Sequence, residues 1–256
     1  MLASERRKQI SRIILETRAV TVLDLAQRFQ VATETIRRDL KKLEAEGVLK
    51  RTHGGAIIEE STNVLPFAQR NQQNIEEKRQ IAARAAQLVK DGQTLILDNG
   101  TTTMELARAL VNKKDITVVT NSLVIARELA YAPGVTVEVV GGVLRKAELS
   151  LVGPTAKQFI ERIRVDWTFL AAAGVTVDHG PAVSNNLEAE IKTLMAEAAA
   201  QTVLLVDSSK LGKPAMVSYL PLEKLDMIIT DSKANREVLT AFQEKGVKVL
   251  QGNPVS

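Results

Sequence analysis

The sequence predicts an α/β protein in two parts: an N-terminal winged helix-turn-helix, then a larger domain built around a mostly parallel sheet. Three observations carry this expectation. Residues Thr33 to Leu43 set Ile36, Leu40 and Leu43 on one helical face and leave four cations, Arg37, Arg38, Lys41 and Lys42, on the remainder. Excess positive charge is confined to the first fifth of the chain: residues 1–57 hold 12 Lys and Arg against 7 Asp and Glu, whereas residues 58–256 hold 22 against 23. From Thr94 onward, short β-branched runs alternate with helical patterns, as in an α/β domain.

At 256 residues, 45% hydrophobic and 25% charged, the chain has room for two domains and a sizeable core. It has no cysteine, which excludes a disulfide framework and a thiolate metal site, and His53 and His179 are its only histidines. Neither a metal nor a cofactor is expected. No apolar run approaches the ~18 residues of a membrane span, and Arg6, Arg7 and Lys8 are not followed by the apolar stretch of a signal peptide. The expected location is the cytoplasm, with no membrane partner.

Taken in order, a first helix is expected from Ser4, as N-cap, through Ile10, Ile13 and Ile14 to about Thr17. Val20-Thr21-Val22 breaks the pattern. Thr21 followed by Asp24 can cap a second helix, Leu23 to Phe29, with Leu25, Ala26 and Phe29 apolar. The third helix opens at Thr33 after a short turn and ends near Gly47, a natural residue to follow a helix. Val48 to Ile57 holds two β-prone runs around Gly54-Gly55, which can fold back as a hairpin. In such a module the third helix enters the major groove with its N-terminal residues nearest the base edges. Thr33, Glu34, Thr35, Arg37 and Arg38 occupy that end. An arginine can bond guanine bidentately, whereas Lys41, Lys42, Lys50 and Arg51 suit phosphates. Asp39 would be repelled by DNA, so it is expected to pair with an arginine.

Residues 58–75 are polar and mark the domain boundary, giving domains at 1–57 and 76–256. A helix is expected from Glu76 to Val89. Strands follow at Thr94–Asp98, Ile116–Thr120, Val135–Val140, Asp166–Ala171, Thr202–Asp207, Met227–Thr230 and Val247–Leu250. Between them lie helices at Thr102–Leu110, Leu123–Ala130, Ala156–Ile163, Glu188–Ala200 and Ala234–Glu244. Ligands of open parallel sheets bind at the carboxyl ends of the strands. The polar strand ends are Asp98-Asn99-Gly100-Thr101-Thr102-Thr103, Thr120-Asn121-Ser122 and Asp207-Ser208-Ser209-Lys210, with Gly141-Gly142 and Gly153 permitting close backbone approach. Hydroxyls and free N–H groups at such junctions receive a phosphate, and Lys210 adds a cation. The same residue types also serve as ordinary helix caps, and Glu188 or Glu190 as carboxylates at a helix start.

These motifs resemble the DeoR family of bacterial transcriptional regulators. In the N-terminal block the resemblance rests on Arg6, Ile10 and Ile14, then Ala32, Thr35-Ile36-Arg37-Arg38-Asp39-Leu40, Leu43-Glu44 and His53-Gly54-Gly55-Ala56; Ala32 stands where many members carry serine. Phe67 and Arg70 resemble a Phe-x-x-Arg element between the domains, which implies that this segment is docked. In the second part it rests on Asp98-Asn99-Gly100-Thr101-Thr102, Thr120-Asn121-Ser122, Gly141-Gly142, Gly153-Pro154, Ala173-Gly174, Glu190 ahead of Lys192, Asp207-Ser208-Ser209-Lys210 and Thr230-Asp231. Asn99 stands where a small residue is frequent.

The resemblance implies a second domain similar in fold to ribose-5-phosphate isomerase that binds a phosphorylated sugar. Expected DNA contacts are Thr33, Glu34, Thr35, Arg37, Arg38, Lys41, Lys42, Lys50, Arg51 and His53. Expected effector contacts are Asp98, Gly100, Thr101, Thr102, Thr103, Thr120, Asn121, Ser122, Gly141, Gly142, Glu190, Asp207 and Lys210. The function that follows is a repressor of a carbohydrate-utilisation operon, a homodimer or homotetramer on an operator of double-stranded DNA. An alternative is a sugar-phosphate isomerase-like enzyme with a fused DNA-binding module, for which Asp98, Glu190 and Asp207 would supply acid–base groups. No nucleophile elbow, metal cluster or dinucleotide fingerprint supports it.

Overall fold

The computed structural model describes residues 3–17, 19–45, 48–57 and 67–253. Two compact units divide between Pro66 and Phe67. The smaller contains α1 (Ala3–Thr17), β1 (Ala19–Thr21), α2 (Val22–Phe29), α3 (Thr33–Ala45), β2 (Lys50–Arg51) and β3 (Gly55–Ile57). α1 begins before the expected cap, so Ser4 lies in its first turn. α2 opens as its sequence suggests: the Thr21 hydroxyl accepts the Asp24 N–H at 3.1 Å, satisfying an otherwise unpaired donor. Ile36, Leu40 and Leu43 of α3 pack with Ile10, Ile14 and Leu25, which confirms the apolar face read from the spacing. Gly47 lies outside the described residues.

Val20-Thr21-Val22 does more than end a helix. Its first two residues form β1 with Ala19, and β1 pairs antiparallel with β3, which pairs with β2. The wing is therefore a three-stranded sheet. β1 leaves no room for a side chain at Gly55, where an added Cβ would lie 1.9 Å from the Val20 carbonyl oxygen, while one at Gly54 would meet nothing within 4 Å.

The larger unit opens with α4 (Phe67–Gln72) and α5 (Ile75–Ala86), then continues through β4 (Thr94–Leu97), α6 (Thr101–Leu110), β5 (Ile116–Thr120), α7 (Leu123–Leu129) and β6 (Val135–Val139). Next come β7 (Val143–Arg145), β8 (Ser150–Val152), α8 (Pro154–Glu161), β9 (Val165–Ala171), β10 (Gly174–Thr176), β11 (Gly180–Val183), α9 (Asn186–Glu197) and β12 (Ala199–Leu205). β13 (Val217–Ser218), β14 (Met227–Thr230), α10 (Arg236–Glu244) and β15 (Lys248–Gln251) complete it.

Seven strands form one parallel sheet in the order β15-β14-β12-β9-β4-β5-β6. Successive residues bury on opposite faces. Leu95, Leu97, Phe169, Val203, Leu205 and Ile229 pack under α5, α6 and α7, whereas Ile96, Leu170, Leu204 and Ile228 pack with α8, α9 and α10. Sequence order runs outward from β4 through β5 to β6, then resumes at β9 on β4's other side. The topological switch point lies between β4 and β9.

Three expectations need correction. Residues 67–75, read as linker, fold with the larger unit, because Phe67 is buried in the core beneath α6; residues 58–66 lie outside the described residues. α9 starts at Asn186 because the Asn185 side chain accepts the Glu188 N–H at 3.0 Å, and it stops at Glu197 because Ala199 joins β9 opposite Val165. Sheet pairing overrides the helix preference of the alanine run. The hairpin β7–β8 and the antiparallel sheet β10-β11-β13 were not expected, since strands of two to four residues carry no periodicity to read.

The Gly55 contact predicts that Gly55→Ala destabilises the smaller unit by about 2 kcal/mol, the scale of forced overpacking, while Gly54→Ala is close to neutral. Amide exchange in α1 and α3 would distinguish them; equal protection in the two variants would refute the close approach.

Candidate functional site

On the smaller unit, α3 presents one face outward. Arg37 and Arg38 have exposed side chains, each 3.7 Å from Glu34, a pairing too solvated to hold them. Lys41, Lys42, Lys50 and His53 are exposed, and Thr33 and Thr35 are half-buried at the helix start. Arg51 is tied back to α3: its backbone N–H donates to Glu44 at 2.8 Å and its guanidinium lies 3.9 Å from the same carboxylate. Asp39 faces inward at 4% exposure, with Arg6 Nε at 2.6 Å and Arg7 at 3.5 Å. The arginine that neutralises Asp39 thus comes from α1, and the pair fixes the roll of α3 about its axis. Removing one partner from such a buried pair costs about 3–5 kcal/mol. At the turn before α3, the Ala32 carbonyl accepts the Thr35 N–H at 2.9 Å.

On the larger unit, the polar strand ends converge at the switch point. Asp98, fully buried, accepts the Ala171 N–H at 3.0 Å and pairs with the ammonium of Lys192 on α9. Lys192 also donates to the Ala171 carbonyl at 3.0 Å, and Lys210 to the next one, Ala172, at 2.9 Å. The Tyr219 hydroxyl donates to the Ala171 carbonyl at 3.0 Å, while its ring lies 5.7 Å from the Lys192 ammonium. Gly100 lets the loop pass, since a Cβ there would meet the Ala171 Cβ at 2.6 Å. Asn121 accepts the Asn99 N–H at 3.0 Å and so binds the second strand end to the first.

Several expected contacts are spent on the framework. The Thr103 hydroxyl donates to the Asp98 carbonyl at 2.6 Å, Thr120 donates to the Leu97 carbonyl at 2.7 Å, and Ser122 caps α7 by accepting the Ile125 N–H at 3.3 Å. Gly141 and Gly142 adopt φ of 73° and 112°, and a Cβ on Gly142 would lie 2.5 Å from the Val152 carbonyl oxygen, so the close approach there is to the chain itself. Asp207 accepts from Asn74 at 3.2 Å and lies 3.9 Å from Lys210. Glu190 is turned away, exposed and paired with Lys157 at 2.5 Å. Glu188 precedes Lys192 by four positions, so it shares the same helical face and lies 3.4 Å from it; Glu190 projects from the other side.

A different set of atoms is left over. Asp98 Oδ1, Asn99 Nδ2, Thr102 Oγ1, Ser150 Oγ and Arg145 Nη1 are buried and make no hydrogen bond. Buried polar groups are almost always bonded, so five in neighbouring loops and strands call for a partner that offers several acceptors and at least one donor. Arg145, 3.6 Å from Glu188, was not singled out by the sequence; neither were Lys192 as a site residue, nor Lys78, nor Glu148. The partners of Arg145, Lys192 and Glu148 lie far along the chain, while Lys78 bonds backbone carbonyls five and eight residues before it, which no side-chain motif marks.

Burial dominates the electrostatics. It pushes the Asp98 carboxyl above its ordinary range against the pull of Lys192, and Glu148 likewise against Arg70. It lowers the Lys210 ammonium and raises the Tyr219 phenol well above its usual value. Lys78 donates to the carbonyls of Arg70 and Gln73 at the end of α4; burial, then repulsion from Lys210, brings it from 10.5 to about 8. A neutral amine retains two N–H donors, enough for both carbonyls. Among the described residues no three His, Asp or Glu side chains group as metal ligands, and no helix is long and apolar enough to cross a membrane.

Comparison with known proteins agrees across the whole chain. A family profile described as a DeoR-like helix-turn-helix domain matches residues 6–62, and one described as a DeoR C terminal sensor domain matches residues 73–232. The HTH-type transcriptional regulator GlpR of Haloferax volcanii is 38% identical over 253 residues, covering 98% of this chain and 99% of that protein. GolR of Listeria innocua, also an HTH-type transcriptional regulator, is 36% identical over 97% of this chain and 98% of its own length. The glycerol-3-phosphate regulon repressor of Escherichia coli is 29% identical over 97% and 99%. Ribose 5-phosphate isomerase A of Methanocaldococcus jannaschii shares 19% identity over 54% of this chain and 55% of that one, with a TM-score of 0.39.

Lys78 yields a pH test. The unfolded chain keeps this proton to about pH 10, whereas the fold releases it from about 8. In that window the unfolded state binds more protons, so Lys78's contribution to stability rises with pH. Urea unfolding followed by fluorescence of Trp167, the one tryptophan in the sequence, should show wild type gaining on Lys78→Met from pH 8 to pH 10. A difference independent of pH would contradict the burial argument.

Proposed function

The chain belongs to the DeoR family of transcriptional regulators, and on that premise we propose that it represses a carbohydrate-utilisation operon until a phosphorylated sugar binds its larger unit. The observation that carries the effector reading is the set of unbonded buried atoms at the β4/β9 switch point. A phosphate supplies acceptors for Arg145, Thr102 and Ser150 and for the first-turn N–H groups of α6. A sugar hydroxyl supplies the donor that Asp98 Oδ1 lacks. Relatives whose names refer to a glycerol-3-phosphate regulon support the class of ligand.

On the DNA side, Arg37 and Arg38 read base edges from α3, with Thr33, Glu34 and Thr35 beside them. Lys41, Lys42, Lys50 and His53 meet phosphates, and Arg51 braces the wing through Glu44. A single module buries too little surface for tight operator binding, which favours a homodimer or homotetramer acting in the cytoplasm on paired half-sites. The ligand releases DNA only if it prefers one of two states of the assembly, with a coupling of about 1–3 kcal/mol.

Arg37→Ala and Arg38→Ala are each expected to weaken operator binding by about 1–3 kcal/mol and to relax discrimination at one base pair. Lys50→Ala should weaken all DNA alike and reduce the salt slope. A thermal-shift screen of phosphorylated sugars should find a ligand that raises the melting temperature and releases operator DNA, with both effects lost in Thr102→Val. Normal operator protection by both arginine variants would refute the α3 assignment. A ligand that stabilises Thr102→Val as well as wild type would move the effector site elsewhere.

A further inference from the structure

α4 is the first element that the chain enters after leaving residues 58–66, and it is joined to the turn of the hairpin β7–β8. The Arg70 guanidinium pairs with Glu148 in that turn, and the Phe67 N–H donates to the Ala147 carbonyl at 3.4 Å. Glu148 is buried, at 4% exposure. The other end of the turn is bonded to the strand ends: the Leu123 N–H donates to the Leu149 carbonyl at 3.0 Å, and the Leu151 N–H to the Asn121 carbonyl at 2.8 Å. Asn121 Nδ2 reaches the Leu151 carbonyl at 3.4 Å. Leu149, between these contacts, is held at φ 50°, a left-handed conformation unfavourable for a leucine. Arg145 opens the same turn beside Glu188, and Lys78 closes α4 from below. One hairpin turn thus touches both the switch-point residues and the helix that leads toward the smaller unit.

We propose that the Arg70–Glu148 pair is a ligand-competed latch: a phosphate bound at the switch point takes Arg70 from Glu148, and α4 parts from the hairpin turn. This rests on the reading of the switch point as a phosphate site. The competition follows from charge. A phosphate carries about two negative charges and three acceptor oxygens, against one charge on a carboxylate whose burial leaves its ion pair near break-even. Arg145 and Ser150 flank Glu148 in the same hairpin, and both hold an unbonded buried atom, so the anion would arrive beside the latch. Parting of α4 changes the start of the only covalent path to the DNA-binding unit, which gives ligand binding a physical route to the operator.

The test uses the full chain, inorganic phosphate as probe and chloride at matched ionic strength as control. Phosphate affinity is measured by calorimetry and amide exchange is followed at residues 67–72. In wild type, phosphate should accelerate exchange in α4 several-fold. In Glu148→Gln, α4 should exchange fast without phosphate, and phosphate should bind about tenfold tighter because its competitor is gone, a gain within the usual range of coupling. Arg70→Lys, which keeps the charge but loses the forked donors, should also exchange fast, yet bind phosphate more weakly. Glu128→Gln, which removes a carboxylate paired with Arg108 on the surface, should match wild type. Phosphate binding to wild type with unchanged exchange in α4, and no tighter binding by Glu148→Gln, would overturn the latch while leaving the phosphate site standing. Failure of phosphate to bind wild type, Glu148→Gln or Arg70→Lys would overturn the site and the latch together.

Discussion

The larger unit is organised around one buried ion pair, Asp98 with Lys192. Asp98 directly follows β4, which pairs with the central strand β9, and Lys192 projects from α9 on one face of the sheet; both are essentially inaccessible to water. Such a pair gives little net stability, since desolvating two charges offsets most of their attraction. Its value is geometric. Asp98 takes the N–H of Ala171 and Lys192 gives to the carbonyl of the same residue, so the pair clasps the end of β9 at the point where strand order reverses. β4, β9 and α9 are fixed in one arrangement, and the neighbouring loops inherit their positions from it.

The smaller unit uses the same device. Asp39 lies on the inner side of α3 and is neutralised by Arg6 from another helix, so that a buried charge becomes the peg that orients the exposed face of α3. Loss of either partner would strand a buried charge, and the face carrying Arg37 and Arg38 would lose its registration against α1. In both units a buried aspartate paired with a cation from another helix fixes the elements around it.

Much of this was legible in the sequence, for identifiable reasons. α3 and its cations follow from a 3.6-residue period, and the Asp98 and Thr120 loops from polar residues at strand ends. Features that depend on distant partners were not legible. Lys192 meets Asp98 across 94 residues and Arg70 meets Glu148 across 78, and no local spacing encodes either. Glu188 rather than Glu190 lies beside Lys192, because a helical face is set by the residue already committed inward. The hairpin β7–β8 went unread because three-residue strands carry no alternation, though Gly141-Gly142 marked its start. The hydroxyls of Thr103, Thr120 and Ser122 were visible, but their use as internal braces could not be separated from ligand contact until their acceptors were known.

That division among hydroxyls bears on how the site can change over evolutionary time. Gly100, Thr103, Thr120 and Ser122 are committed to the backbone, and replacing any of them disturbs the strand ends themselves. The Thr102 and Ser150 hydroxyls make no hydrogen bond within the protein. Exchanges at those two positions alter the pattern of donors and acceptors without removing a hydrogen bond of the scaffold. A protein built this way can pass through a succession of ligands by point substitution while its fold stays constant.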